Sequence, residues 1–514
     1  MTAQAARAPT ASTDPFAPAR AKFEEIVAFL QSVEAAKLDH YQDETWVEGN
    51  GRECLRAVVQ NFYDLKALNE PRLTDVADAE GIPRGSVEPH HARRLLTIFG
   101  QIVVYRLAYR RRTRPNLHPL DAALNLPEER HSLRLREIAA IEAARGSFEE
   151  AKAAITRLTG QIIGKRQVEE LVRRASADVE GFYAQLPTEP VEDADVLVLS
   201  ADGKGIVMRP NALRPATRKA AERSTPKLAT RLSKGEKRNR KRMAEVGVVY
   251  DAVPVARTPS DILPDPATPP DRAAPAPKAK NRWFTASVVD RAADVIAKIF
   301  AQADQRDPEH QRTWVALVDG NKDQIDHLNA QAACRQLTLP ILIDFIHVLE
   351  YLWKAAWSFY EEGDPQAEAW VREKALAVLQ GKAPVVAAAI TRKATSLHLA
   401  PDRRQGADRC ATYLLNHKAY LDYPTALGRG WPIATGVVEG ACRHLVKDRM
   451  DITGARWSLE GAEAVLKLRA LRANGDFDAY WPYHLAQERR RVHQSRYANG
   501  RIPLAAAMPD SLCA

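Results

Sequence analysis

The sequence predicts an α/β protein in which a sheet-bearing core is interrupted by a mainly helical insertion and preceded by a mostly α region with a small β element. Three observations carry this. Apolar runs of strand length, rich in Val and Leu, stand at Val196–Met208, Glu245–Val253 and Thr313–Val318. Stretches with apolar residues at helical spacing flank them on both sides. Two of the runs lead into Asp-Gly, at Asp202 and Asp319, which puts a carboxylate at the end of a strand, off the edge of the sheet.

A chain of 514 residues is long for one core, and about two to four domains are expected. The 74 Lys and Arg exceed the 65 Asp and Glu to give a net charge of +9, and the excess is locally concentrated, which suits a polyanionic partner such as nucleic acid. Cys54, Cys334, Cys410, Cys442 and Cys513 form no pair at disulfide-framework or zinc-ligand spacing, so a reducing, cytoplasmic setting is expected. The most apolar long window, Leu337 to Trp357, contains Asp344, His347, Glu350 and Lys354, which argues against a membrane span. The N-terminus lacks the apolar core of a signal peptide.

Residues 1–20, rich in Ala, Pro, Thr and Ser, predict a disordered leader. Residues 21–186 read as a region of helices, with β-branched and aromatic residues around Gly100 forming a small sheet. The basic run Arg110–Arg114 at its end reads equally as a solvated hairpin tip or as a contact to a DNA backbone. Within this region, residues 148–174 have the outline of helix, glycine-containing turn and second helix. That is either a helix-turn-helix offering Lys165 and Arg166 to a groove, or an ordinary helical hairpin.

Residues 190–364 read as the first part of the sheet-bearing core. Val196–Met208 is expected as two short strands joined by an Asp202-Gly-Lys-Gly205 turn, and Glu245–Val253 as the third strand of the same sheet. Residues 209–245 hold thirteen Lys or Arg against three Glu, among them Lys237, Arg238, Arg240, Lys241 and Arg242. Thirteen cations beside a carboxylate-bearing edge favour phosphate contact over a merely solvated loop. Residues 254–280, with eight prolines, read as an extended loop, and Ala286 to Ala303 as an amphipathic helix. Leu339 to Trp353 begins as a strand and passes into a helix, 365–423 reads as a helical insertion, 424–473 returns to the core with Glu439 on a helix, and 474–514 reads as a C-terminal tail.

Asp202, Asp319 and Glu439 are of the residue type that holds Mg²⁺ or Mn²⁺, and two such ions support in-line displacement at phosphorus. Each carboxylate alone is ordinary; their order along the chain gives them weight. Strands with Asp202, a helix, a strand with Asp319, a further strand and a distant helix with Glu439 follow the order of an RNase H-like core.

On these residues the chain resembles a DDE transposase of a bacterial insertion sequence, most closely the ISKra group. The resemblance is carried by Leu199–Gly205, Leu317–Gly320, Asp344–Trp353, Gly436–Met450 and Thr453–Trp457. It implies Asp202, Asp319 and Glu439 as a catalytic triad binding two Mg²⁺ or Mn²⁺ ions. Asp344 and His347 match the D-x-x-H element of Mutator-like relatives and would support it. Double-stranded DNA at transposon ends and target, and a homo-oligomer on paired ends, are the implied partners. Arg443 and Lys447, four and eight residues after Glu439, fall on one face of an α-helix and could hold phosphates. Arg456-Trp457 could clamp a DNA end, although Trp457 reads equally as core filling. Paired cysteines that such relatives carry near Arg106 to Leu120 are absent from this sequence, so no zinc is expected. The alternatives are a DNA-binding regulator without catalysis, or an RNase H-like nuclease or resolvase that cuts without strand transfer.

Overall fold

A computed structural model describes residues 14–186, 195–223, 240–265, 274–452 and 454–503. The chain divides into two compact units, Met1–Ala184 with Phe477–Ala514, and Gln185–Asp476.

The first unit opens with the helix Ala17–Leu30, whose start lies inside the stretch read as a disordered leader, followed by the long helix His40–Leu68. Asp39 starts the second helix with a reciprocal cap, its side chain accepting from the Gln42 N–H at 2.8 Å while Gln42 accepts from the Asp39 N–H at 3.0 Å. An antiparallel sheet follows, β1 (Ser86–Thr97), β2 (Gly100–Arg111) and β3 (Arg114–Leu117). The basic run Arg110–Arg114 is the hairpin between β2 and β3, with Arg110 and Arg114 paired to Glu88 and Glu80.

Three mutually packed helices complete that region, Leu133–Arg145, Phe148–Thr159 and Lys165–Ala175. Ser147 and Glu150 cap the second, and Gly160 ends it in the left-handed region at φ +70°. Val168, Leu171 and Val172 bury the inner face of the third helix, leaving Lys165 and Arg166 exposed on its first turn. Part of the stretch read as a tail is instead the helix Phe477–Val492, which packs into this unit. Its Tyr480 hydroxyl donates to the Ala175 carbonyl at 2.6 Å, and its Glu488 pairs at 2.8 Å with the fully buried Arg136.

The second unit is built on β4 (Val196–Val207), β5 (Lys241–Ala252), β6 (Ala279–Ser287), β7 (Trp314–Val318) and β8 (Ile341–Ile343). Their order across the sheet is β6-β5-β4-β7-β8. The first three are antiparallel, while β4, β7 and β8 run parallel.

Two expectations are corrected here. The Asp202–Gly205 stretch is no turn: β4 runs unbroken through it, because β5 begins at Lys241 and pairs with it residue for residue. Residues 279–287, assigned partly to the proline-rich loop and partly to a helix, form β6, and the helix starts only at Ala292. The helix Ala292–Arg306 lies on the sheet face carrying Gly247, where an added Cβ would sit 2.5 Å from an Ile299 methyl. At the end of the sheet away from Asp202, the buried Asp251 carboxylate pairs with Arg306 at 3.2 Å and Arg312 at 2.6 Å.

Beyond β8 the chain is helical, with Phe345–Ala356, Pro365–Leu379, Ala383–Ser396 and Pro401–Asn416. The first and last touch backbone to backbone at Gly406, where a Cβ would stand 2.1 Å from the Lys354 carbonyl oxygen. Backbone cannot rotate aside as a side chain can. Gly406→Ala is therefore expected to cost about 1–3 kcal/mol, seen as a lowered midpoint in thermal unfolding. Gly428→Ala, in a helix and with open space around its added Cβ, is expected to hold the midpoint or raise it slightly.

Candidate metal centre

The ladders β4–β7 and β7–β8 pair Ser200 with Leu317 and Val318 with Ile343. Continued past those last pairs, the same register sets Asp202, Asp319 and Asp344 level with one another on three neighbouring strands. Neighbouring strands lie about 4.8 Å apart. Three carboxylates thus stand at the same edge of the parallel half of the sheet, and two strand registers, rather than one motif, put them there.

Asp344 is fully buried. Its Oδ1 accepts from the Ile346 N–H at 2.9 Å and so caps the helix Phe345–Ala356. Its Oδ2 meets the Thr435 hydroxyl at 2.5 Å and His347 Nδ1 at 3.2 Å. Burial alone would raise its pKa; the bonds from His347, Thr435 and the Ile346 N–H outweigh burial and hold the carboxyl below its ordinary range. The hydrogen bond to Asp344 in turn raises the His347 imidazole, and the charges of Asp344 and Asp319 add to it.

Glu439 approaches from the helix Gly436–Ala441. Its Oε1 lies 3.3 Å from the Thr435 hydroxyl. That hydroxyl has one hydrogen, already given to Asp344, so the second contact is a hydrogen bond when Glu439 is protonated. Partial desolvation of the carboxyl first, then the Asp344 charge, raises the Glu439 pKa, although the residue as a whole is exposed. Asp344, His347 and Glu439 offer ligand atoms that all lie within 4.8 Å of one another. They are the one such group of three among the described residues.

Asp202 and Asp319 stand beside this group. Asp202 Oδ1 accepts from the Gly203 N–H at 2.6 Å. Its neighbour on the Glu439 side is Cys442, whose thiol is pushed far up by burial and then by the Asp202 charge, and stays protonated. Asp319 Oδ1 accepts from the Asn321 N–H at 2.8 Å. The loop behind it is pinned from the helix Pro401–Asn416 and its end, Tyr413 donating to the Asp319 carbonyl at 3.1 Å and His417 Nε2 lying 3.0 Å from the Gly320 carbonyl. The structure therefore brings Glu439 to Asp344 and His347, with Asp202 and Asp319 on the flanking strands.

Thr435 and Glu245 were missed in the sequence. Thr435 stands four residues before Glu439, one helical turn, which was the available signal. Glu245, paired with Gly203 on β5, is raised by burial and by the Asp202 charge, and only the β4–β5 ladder reveals that proximity.

The residues read as DNA contacts are placed unequally. Arg443 and Lys447 are exposed, but Cys442–Lys447 is a π-helix, so the α-helical spacing that would align them does not hold there. Trp457 is 6% exposed, its indole N–H donating to the Met450 carbonyl at 3.0 Å and Arg449 lying over its ring. That arrangement fills core space and leaves no open ring face for a base. Arg456 is exposed. Arg240 and Lys241 are partly exposed, with Lys241 3.6 Å from Asp451. The Arg242 guanidinium is committed to backbone, donating to the Val288 carbonyl at 2.7 Å and the Ala212 carbonyl at 3.3 Å. Lys237 and Arg238 lie outside the described residues. Among those residues no helix is long and apolar enough to cross a membrane.

No family model and no curated relative matches the chain. Among solved structures it is similar to a chain of the Drosophila P element transposase strand transfer complex, at 10% identity over 72% of this chain and 82% of that one. The TM-score is 0.23, too low for the likeness to carry an argument about activity.

Proposed function

We infer that this chain is a DDE-type DNA transposase, cleaving DNA at the ends of a mobile element and joining the freed 3′-hydroxyl to target DNA. The observation that carries the reading is the row of Asp202, Asp319 and Asp344 across three parallel strands, met by Glu439 from a later helix. The strand order β6-β5-β4-β7-β8, three antiparallel and two parallel, is what an RNase H-like core requires, and supports that finer assignment of the sheet.

The donor set fits a hard divalent cation, since carboxylate oxygens are what Mg²⁺ and Mn²⁺ accept. Asp202, Asp319 and Glu439 would hold two such ions. Bound there, they would supply an activated water or 3′-hydroxyl and charge stabilisation for the leaving oxygen. The protein's own part is positioning. Tyr413 and His417 fix the backbone at Asp319 and Gly320, and Thr435 ties Asp344 to Glu439. The exposed cations Lys165, Arg166, Arg443 and Lys447 suit a phosphate backbone, and work on paired ends calls for a homo-oligomer.

The test is a strand-cleavage and strand-transfer assay on DNA bearing the element's ends, with Mg²⁺ or Mn²⁺. Cleaved and joined products are expected, and both disappear with chelator. Binding of the ends without cleavage would turn the reading toward a regulator; cleavage without joining, toward a nuclease.

A further inference from the structure

We propose that Asp344, His347 and Glu439 form a divalent-cation position with a nitrogen donor, and that this position selects Mn²⁺ over Mg²⁺. It shares Glu439 with the ions read for strand chemistry and rests on that reading only to this extent.

The ring of His347 is held through Nδ1, 3.2 Å from the buried Asp344 carboxylate. Metal ligands are deprotonated, so an ion drawn in beside that contact takes the Nδ1 lone pair together with an Asp344 oxygen. Asp344 is itself fixed, by the Ile346 N–H at 2.9 Å and the Thr435 hydroxyl at 2.5 Å. Because Thr435 also touches Glu439 at 3.3 Å, one hydroxyl links the two oxygen donors. Ligands about 2.1 Å from one ion stand at most about 4.2 Å apart. The three residues, with ligand atoms already within 4.8 Å, need close by only a fraction of an ångström. Glu439 is exposed and His347 partly so, which leaves an approach for the ion.

The donor type decides the metal. Mg²⁺ keeps oxygen ligands and much of its water. Imidazole nitrogen suits the first-row transition ions, and Mn²⁺ also accepts carboxylate. A site of carboxylates alone would not separate the two ions in this way.

The experiment is calorimetric titration of the full chain, without DNA, with MnCl₂ and separately with MgCl₂. Spin-echo spectroscopy of the Mn²⁺-loaded protein then looks for nitrogen coupling. The wild type is expected to bind Mn²⁺ about tenfold or more tighter than Mg²⁺, with nitrogen coupling present. His347→Gln, and His347→Ala where circular dichroism shows it folded, should lose both that preference and the coupling while Mg²⁺ binding stays within about twofold. Glu350→Gln, exposed on the same helix as His347, should keep both. Equal affinity of the wild type for the two ions, or nitrogen coupling that persists in His347→Gln, overturns the proposal. Because no DNA is present, a protein that cuts no DNA can still pass this test, and one that cuts DNA can still fail it.

Discussion

Asp319→Asn is expected to abolish strand cleavage, with Asp202→Asn and Glu439→Gln doing the same, each by about three orders of magnitude or more. Metal-borne charge stabilisation is worth several kcal/mol, and each 1.36 kcal/mol is about tenfold in rate. The amide variants isolate that effect. Asp319 uses one side-chain oxygen to accept from Asn321, and Asp202 one to accept from Gly203, bonds that an asparagine oxygen can keep. Glu439 is exposed. Unfolding midpoints and DNA affinity should therefore hold while the product is lost. Asp344→Asn is a different experiment, since it disturbs a buried acceptor of three hydrogen bonds and should cost stability as well. Full activity in any one of the three amide variants would remove that residue from the site.

The largest expected loss of stability is at Asp251→Ala. Asp251 is fully buried and faces two guanidiniums, Arg306 and Arg312, whose side chains are 7% and 1% exposed. Arg312 also donates to the Asp195 carbonyl at 2.9 Å, so it cannot swing to water without loosening the start of β4. Removing the carboxylate strands two charges in the interior. Breaking a buried pair from one side costs about 3–5 kcal/mol, and here both partners are left behind. Urea unfolding followed by tryptophan fluorescence, with Trp314 of β7 in the same cluster, should show the midpoint fall steeply or no folded baseline at all. A shift smaller than that of Gly406→Ala would mean that the arginines find other acceptors.

The sheet was legible in the sequence through two errors that offset one another. Val196–Val207 was divided in two because Gly203 and Gly205 look like a turn, while Ala279–Ser287 went unread because prolines precede it. Five strands resulted either way. Glycine marks a turn only when no partner strand runs beside it, and the partner here begins at Lys241, inside a stretch that charge alone made look like a loop. Trp283, Phe284 and Thr285 were the signal for the missing strand. In the site, the aspartates were readable because each follows a short apolar run, although Asp202 lies within β4 and not at its end. The grouping of Glu439 with Asp344 and His347 was not, since it depends on β8 lying next to β7 and on the approach of the Glu439 helix, neither of which is local. Trp457 could not be resolved from sequence because a tryptophan that fills a core and one that clamps a ligand have the same neighbours along the chain.

The π-helical segment Cys442–Lys447 sets the phase between two jobs of one helix. Ahead of it, Glu439 must face Asp344; within and after it, Leu445, Val446 and Met450 must face the interior. A π turn holds about one residue more than an α turn, a rotation of about 100°, which the wide turn absorbs without turning either flank. An extra residue taken up in this way is one the segment can lose: deleting one residue from 442–447 is expected to leave an α turn with Glu439 and the packed face both still in place. In this stretch the count of residues has a margin of one, and the aim of Glu439 survives within it.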